Sequence, residues 1–519
     1  MINSPTPTPP HPPAINKVMT ALEAAMLIKD GDTVAVTGAG GGMLEPDTAF
    51  GAVEERFLSG KGPYDLTFVY SLGFGDRDRK GTNRFAHEGM VKRVIGGHWG
   101  WSPRMRALVK QEKIEAYALP SGVIAQLFRE IGAGRPGLYT HVGLGTFVDP
   151  REEGGRMNQS AKDALTEVVN VDGREYLRYK PFNIDVAIVR GSMADPDGNI
   201  SLDQEIANLD VFALALAAHN CGGKVIVQVR TLVERGALPA RTVRIPGVLV
   251  DAIVVDPDQM QNYLTIYDPA ISGERRVIVN ANPQPFGIRK VVARRAAEEL
   301  RPGAVLNFGF GMPDGVAKLI SERGEQDLYC QTVEHGVHGG NVLDGIVFGT
   351  TVNATAMIDS PSQFDFYSGG GLDIAFLGMG ELDAQGNVNV SFLDGEIVGP
   401  GGFIDITQNS KTVVFCGTFD AKGSKLEAGG GRLVIKQHGQ VIKLVEQVAQ
   451  ITFSGKRALE QGQTVIYVTE RAVFRLTAEG VHLIEIAPGI DLHSDVLDRM
   501  GFAPIVNSPR VMNPAHFTI

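Results

Sequence analysis

The 519-residue sequence predicts an α/β protein made of two tandem open α/β domains with mainly parallel sheets. Helical patterns such as VMTALEAAMLIKDG and VVARRAAEELRPG alternate with short apolar runs such as TVAVTG and TVVFCG, many of them closed by glycine. The two halves of the chain also share motifs at constant spacing. Because one hydrophobic core does not grow to serve a chain of this length, at least two domains are expected.

The internal repeat begins with a helical pattern, a strand and a glycine turn in each half, namely GDTVAVTGAGGG from Gly31 and PGAVLNFGFGMP from Pro302. Each half then has an aspartate followed 13 and 40 residues later by matching features. These positions are Asp185, Gly198 and Val225, then Asp373, Gly386 and Val413. We therefore expect two structural copies, a fused pseudo-dimer with an insertion in the first copy.

The same register, extended backwards, pairs ALPSGVIAQL with TVEHGVHGGN and sets Pro120 opposite Glu334. In that alignment only the second copy has a carboxylate at this position. A ligand between the copies would then meet one active and one supporting domain.

A turn-rich break without periodicity, NANPQPFGIRK, separates the two copies at residues 280–290. We divide the chain near Gln284 into domains of residues 17–284 and 285–519. The proline-rich residues 1–16 are expected to form a disordered tail, because they contain neither the apolar run of a signal peptide nor the pattern of a transit peptide.

Composition excludes several classes of partner. A net charge of -10 without long runs of one sign argues against nucleic acid binding. No eighteen apolar residues run uninterrupted, so no membrane span is expected. The three cysteines are widely spaced and form no metal-ligand or disulfide pattern, which favours a reducing cytoplasm.

The glycine loops after the first strand of each half do not match a dinucleotide fingerprint. Met43 and Asp314 occupy the positions where G-x-G-x-x-G requires its third glycine, and no Walker lysine follows. Each loop could present backbone N–H groups to a phosphate or a carbonyl. The alternative for each is a tight turn that binds nothing.

Glu334, in the stretch YCQTVEHGVHGG, has three possible roles: a surface charge, half of a metal site, or a nucleophile. His335 and His338 lack the third and fourth ligands that a metal requires, so we expect no metal and assign them to orienting a neighbour or donating a hydrogen bond. Trp99 and Trp101, in GGHWGWSP, could form an aromatic wall for a ligand, but we favour a loop anchored in the core.

The surroundings of Glu334 favour the nucleophile. Glycines follow it, which leaves room for a ligand, and a strand end is where open α/β sheets place their chemistry. Two further stretches offer oxyanion-hole groups: Asn389 of GNVNVSF an amide donor, and Gly401 and Gly402 of VGPGGFIDI backbone N–H groups. Cys416 lies within an apolar run, so its thiol is expected to be buried and inert.

Several stretches resemble family I coenzyme A transferases, and in particular the single-chain acetate or propionate branch with two fused subunits. They are TVEHG, SQFDFYSGGGLDIAFLGMGELD, GNVNVS, GPGGFIDITQN and VVFCGTF in the second half, and YSLGFGDRDRKG, GGHW and HVGLGTFVDPR in the first. The resemblance extends from about residue 17 to residue 505. It implies a pseudo-dimer of NagB/RpiA-like domains that moves coenzyme A between a short-chain acyl-CoA and a free carboxylic acid.

Carried onto this sequence, the resemblance makes Glu334 the nucleophile that becomes a glutamyl-CoA thioester. Gly402, with Gly401 beside it, would stabilise an oxyanion and touch CoA. Asn389 would donate its amide to the glutamyl carbonyl, with Asn387 as the alternative.

The resemblance also places Gly309, Phe310, Gly311, Met312 and Pro313 along the CoA. It implies CoA as a substrate with no tightly bound cofactor, and a homo-oligomer, either dimer or tetramer. The histidines after Glu334 depart from the family pattern and leave acyl specificity open. An acyl-CoA hydrolase and a catalytically silent CoA-binding subunit are the alternative functions.

Overall fold

The computed structural model describes residues 17–280 and 283–519, so the predicted tail lies outside the described residues. Eleven α-helices are found in this part of the chain. They are α1 Ala21–Ala25, α2 Asp47–Leu58, α3 Pro103–Lys110, α4 Ser121–Gly132, α5 Val211–Asn220, α6 Ile288–Ala296, α7 Asp314–Glu322, α8 Ser360–Ser368, α9 Phe403–Thr407, α10 Gly455–Glu460 and α11 Leu492–Asp495.

Nine strands of the first half form one sheet: β1 Thr33–Val36, β2 Leu66–Tyr70, β3 Val91–Gly96, β4 Glu115–Ala118, β5 Val186–Ala194, β6 Ile200–Ser201, β7 Lys224–Leu232, β8 Val243–Ile245 and β9 Ala252–Val255. Its long path runs β9-β7-β5-β1-β2-β3-β4, with every pair parallel. The short antiparallel strands β6 and β8 extend the far end of β5. A separate antiparallel sheet of Leu138–Thr140, Thr166–Val171 and Arg174–Tyr179 forms the insertion.

Ten strands of the second half form another sheet: β10 Val305–Phe308, β11 Cys330–Val333, β12 Val337–His338, β13 Ala356–Met357, β14 Leu372–Gly378, β15 Ser410–Cys416, β16 Thr464–Val468, β17 Ala472–Thr477, β18 Gly480–Ile486 and β19 Ile505–Val511. The central strands run β11-β10-β14-β15-β16, all parallel. The predicted α/β class with mainly parallel sheets is confirmed. In the sequence, Gln284 falls between the last strand of the first sheet and the first strand of the second.

The two sheets repeat each other at the level of single hydrogen bonds. The backbone N–H of Thr33 donates to the Asp185 carboxylate at 2.8 Å, and that of Val305 donates to the Asp373 carboxylate at 2.9 Å. Asp185 directly precedes β5 and Asp373 is the second residue of β14, and each aspartate holds the start of the neighbouring strand. The repeat that was inferred from spacing is therefore a repeat of structure.

Strand register identifies the residue of the first copy that corresponds to Glu334. Strand β2 pairs with β1 as β11 pairs with β10, and the register aligns Phe68 with Gln331. Counting forward three residues, Ser71 matches Glu334. The predicted match with Pro120 is wrong, because Pro120 follows β4, a strand without a counterpart next to β10.

The hydrophobic core of the first half extends into the second. Val333, Val337, Ile397 and Ile404 are buried in the cluster built mainly from residues before 256. Two further clusters lie within the second half. The chain on both sides of Glu334, and the helix after Gly402, is therefore held against the first half by apolar packing.

Candidate active site

A cavity of about 310 Å³ lies where the carboxyl ends of parallel strands from both halves meet. In open α/β sheets this edge is where ligands bind. The first half contributes Gly40, Leu72, Gly73, Arg77, His98, Trp101 and Ser121. The second half contributes Glu334, Asn307 and His335, together with apolar or glycine positions between residues 308 and 406.

Glu334 follows directly after β11 and is half-buried at the wall of this cavity. Its Oε2 atom is fully buried and has no hydrogen-bond partner of good geometry among the described residues. Burial raises the pKa of Glu334 to about 7, and the nearby backbone amide of Gly402 opposes this rise. A carboxylate in this position is poorly solvated and therefore a stronger nucleophile than one in water.

Gly402 lies against the Glu334 carboxylate, where a Cβ atom would be only 1.7 Å from Oε2. The preceding Gly401 has a left-handed φ of 54°. Its N–H donates to the carbonyl of Gly97 at 2.8 Å and its carbonyl accepts from Ser121 at 2.8 Å. Of the two amides predicted for an oxyanion hole, that of Gly401 is thus already engaged, and that of Gly402 faces the carboxylate.

The glycine pair has a counterpart in the first copy. The N–H of Ser360 donates to the carbonyl of Leu209 at 2.8 Å, as that of Ser121 does to Gly401. Leu209 also has a left-handed φ, 48°. Position 209 therefore matches position 401, and Asp210 matches Gly402.

At the matching site of the first copy, Ser71 replaces the glutamate and Asp210 replaces the glycine. The Ser71 hydroxyl donates to the fully buried Asp210 carboxylate. The Asp210 side chain occupies the space that the second copy leaves open beside its carboxylate. Only one copy can therefore present a free carboxylate to a ligand.

The loop after β10 was predicted to lie along CoA, and only its first two residues line the cavity. Gly309 and Phe310 line it, and the Phe310 side chain is 51% exposed. Gly311 has open space around its Cα and a φ of 96°. Met312 packs towards a core cluster of the second half and Pro313 is buried, so neither lines the cavity.

Asn389 does not lie where the resemblance placed it. Its side-chain amide donates to Glu381 at 2.7 Å and to the carbonyl of Phe392 at 2.6 Å, and the residue does not line the cavity. Both amide hydrogens are therefore engaged away from Glu334. The alternative, Asn387, is held by Asp383 at 3.1 Å. Neither asparagine is placed to donate to the Glu334 carbonyl in this conformation.

The two histidines after Glu334 belong to the packing around it. His335 is buried beside Gly349, and this burial lowers its pKa to about 4. His338 makes a 2.6 Å hydrogen bond with Gln363. Residues 17–280 and 283–519 contain no cluster of three His, Cys, Asp or Glu suited to a metal ion. The Cys416 thiol is buried, as predicted, and its pKa is raised to about 12.

The glycine loop of the first half proves to be a packing loop. A Cβ on Gly41 would meet the carbonyl of Ile346 at 2.1 Å, and one on Gly42 would meet the Tyr263 ring at 2.5 Å. The loop is thus pressed between the rest of its own half and the second half. Gly40 alone of these three lines the cavity.

Several cavity residues were not predicted from sequence. Asn307, on β10, has a buried Oδ1 without a hydrogen-bond partner among the described residues. Trp99 is buried in the core, whereas Trp101 lines the cavity. Arg77 and His98 belong to the motifs YSLGFGDRDRKG and GGHW, which could have marked them as candidate site residues. Nothing in the sequence placed these motifs near Glu334.

No helix in the described part of the chain has the length and apolarity to span a bilayer. The coenzyme A transferase family model matches residues 18–256. The acetate CoA-transferase YdiF of Escherichia coli O157:H7 is 45% identical over 96% of this chain and 95% of its own. The caffeate CoA-transferase of Acetobacterium woodii is 45% identical over 95% of each chain.

The solved structures agree with these sequence matches. The apoenzyme of E. coli O157:H7 YdiF superposes with a TM-score of 0.92 at 44% identity, over 98% of this chain and 97% of that one. The thioester complex of YdiF with CoA gives the same values. The chain belongs to the family I coenzyme A transferases and has both halves of the pseudo-dimer on one polypeptide.

Proposed function

We propose that this enzyme moves coenzyme A between a short-chain acyl-CoA and a free carboxylic acid, with Glu334 as the nucleophile. The observation that supports this most directly is the contact between Glu334 and Gly402. It sets a poorly solvated carboxylate beside a backbone amide, inside a cavity shared by both halves. Small acids are favoured by the size of the cavity and by the similarity to an acetate CoA-transferase.

In the first step the Glu334 carboxylate attacks the acyl-CoA carbonyl. A C–O bond forms and the C–S bond breaks, which yields a mixed anhydride and the CoA thiolate. The thiolate then attacks the glutamyl carbonyl, so that a new C–S bond forms and the donor acid leaves as its carboxylate. The acceptor acid reverses these steps and regenerates the Glu334 carboxylate.

Each addition places negative charge on a carbonyl oxygen, and the Gly402 amide is the donor nearest to that oxygen. A preorganised donor of this kind contributes about 3 kcal/mol to the transition state. No general base is required, because the ionised form of Glu334 is itself the nucleophile and the first step releases CoA as its thiolate. The apolar walls exclude water, which would otherwise hydrolyse the anhydride.

The thioester intermediate gains support from a relative, since YdiF of E. coli O157:H7 has been solved as a thioester complex with CoA. In this proposal CoA is a substrate and no resident cofactor is needed. We further propose a cytoplasmic homo-oligomer, a location that suits the three free cysteines.

The experiment is to incubate the enzyme with acetyl-CoA, reduce with borohydride, and analyse the peptide around Glu334 by mass spectrometry. We expect a reduced Glu334 in the native enzyme and none in Glu334→Ala, which should still bind CoA. Glu427→Gln is the matched control, because the Glu427 side chain is 67% exposed and the residue is distant from Glu334 in the sequence.

Three measurements separate the alternative functions. Hydrolysis of acetyl-CoA that does not depend on a second acid would identify a hydrolase. Full turnover by Glu334→Ala would exclude Glu334 as the nucleophile, and failure to trap any adduct in the native enzyme would favour a silent CoA-binding subunit.

A further inference from the structure

The wall of the cavity formed by the first half contains an arginine stacked on a tryptophan. The guanidinium carbon of Arg77 lies 4.6 Å from the centroid of the Trp101 ring. Arg77 adopts a left-handed φ of 66°, which is unfavourable for a residue with a side chain. Both residues line the cavity that contains Glu334, and Arg77 is exposed, so it lies where the cavity opens to solvent.

The charge of Arg77 is not balanced by an acidic group in the described part of the chain. Its guanidinium has neither an ion pair nor a hydrogen bond with any described residue. The adjacent aspartates are used elsewhere: Asp76 accepts three backbone N–H groups of its own loop, and Asp78 pairs with Arg79 and Arg104. Arg77 is therefore available for an anion from outside.

His98 adds an uncharged donor to the same wall. Its Nδ1 accepts a hydrogen bond from the N–H of Gly100 at 3.2 Å, so the proton of the neutral ring is on Nε2. Burial and the positive charge of Arg77 and Arg106 lower the pKa of His98 to about 4, so the ring is neutral at pH 7. Nε2 has no partner among the described residues.

The group that suits this wall is an oxyanion, because Arg77 and the Nε2–H of His98 are donors only. The reacting carboxyl must lie at Glu334, whose pKa is governed by burial and by Gly402 and not by a cation. Arg77 thus faces a different part of the substrate. At about 310 Å³ the cavity is at the lower end for small-molecule sites, so it admits the reacting end of CoA and the acid but not the nucleotide.

We propose that Arg77, supported by Trp101, and the Nε2–H of His98 form a subsite for the second carboxylate of a short dicarboxylic acid. This inference rests on the proposed transfer reaction. Once Glu334 is a thioester it is neutral, and Arg77 is then the only charged residue lining the cavity among those described. An incoming dianion can pair with it while its other carboxylate attacks the thioester.

The test compares kcat/KM for glutarate and succinate with kcat/KM for butyrate and propionate, with acetyl-CoA as donor. We expect the native enzyme to prefer the dicarboxylic acids. In Arg77→Gln the ratio of dicarboxylic to monocarboxylic kcat/KM should fall by about 10- to 100-fold, the range for losing a hydrogen bond to a charged group. Arg79→Gln, on the same loop and 78% exposed, is the matched control and should leave the ratio unchanged.

Three results would overturn the inference: no preference in the native enzyme, an unchanged ratio in Arg77→Gln, or equal losses for both acid classes. A fourth would be a loss in Arg77→Gln that disappears when acetyl-pantetheine replaces acetyl-CoA, since Arg77 would then hold a phosphate of CoA. Trapping of the Glu334 thioester is measured in parallel. If the native enzyme forms that thioester but shows no acid preference, only this inference fails; if no thioester forms, the proposed function fails.

Discussion

Gly402 and Glu334 are in such close contact that a Cβ on residue 402 would lie 1.7 Å from the Glu334 Oε2 atom. The glycine is therefore required by the position of the carboxylate and not by its own backbone, whose φ of -84° suits any residue. Substituting Gly402 should therefore displace the Glu334 carboxylate without removing any ionisable group.

We expect Gly402→Ala to lower kcat by about 100-fold or more, because a displacement of about 1 Å at a reacting group can cost that much. Steady-state transfer kinetics and thermal denaturation measure the change in activity and in folding. Gly429→Ala is the control, since no atom lies within 4 Å of its Cβ position. Near-native activity of Gly402→Ala would show that Glu334 does not react from this position.

The rate of thioester formation should depend on pH through Glu334. Its pKa is raised to about 7, and only the ionised form is a nucleophile. We expect the single-turnover rate with acetyl-CoA to fall tenfold for each pH unit below about 7 and to level off above it. Stopped-flow measurement between pH 5 and pH 9 tests this, and an inflection near 4.5 would show that the carboxylate is well hydrated.

Folding stability should also depend on the ionisation of Glu334, but here the protonated form is the favourable one. A carboxyl whose pKa is higher in the folded state stabilises that state below its unfolded pKa of 4.5, and this contribution is lost as pH rises to about 7. Glu334→Gln cannot ionise, so its free energy of unfolding should rise relative to that of the native enzyme as pH increases from 4.5 to about 7. The difference should be complete by pH 8, at about 3 kcal/mol. Urea denaturation at pH 5 and pH 8 measures the gain, and an equal difference at both would contradict it.

Asp405 should tolerate an amide better than an apolar residue. It is buried beneath the site, accepts the N–H of Gly122 at 3.1 Å across the two halves, and has its pKa raised well above its usual range by burial, which favours the neutral form. Asn keeps this acceptor without a charge, so Asp405→Asn should fold with near-native stability. Asp405→Ala leaves the Gly122 N–H unpaired and should lose about 1 to 3 kcal/mol.

Thermal and urea denaturation of the two Asp405 variants provide the comparison. Equal losses in both would show that Asp405 acts as a carboxylate. In that case the neutral form would not be the one that joins the halves.

Parts of the site that depend on neighbours in the chain were predictable. Glu334 follows a short apolar strand, and Gly401 and Gly402 precede a helical run, so each could be assigned from local pattern and resemblance. The repeat could also be predicted from the sequence. Asp185 and Asp373 make the same hydrogen bond at the same point of their sheets, so the spacing of the motifs around them is the same in both halves. The role assigned to Asn389 stays a prediction, and the sequence does not show that Glu381 engages its amide.

The sequence by itself determined the α/β class and the duplication and pointed to Glu334 as the candidate carboxylate, because strand periodicity, spacing and motif are properties of the linear chain. Only the tertiary structure decided that Ser71 is the counterpart of Glu334, that Asp210 fills the matching site, and that Arg77 and His98 face the nucleophile. These relationships join residues more than 130 positions apart, and the packing of two sheets, which no local pattern encodes, brings them together.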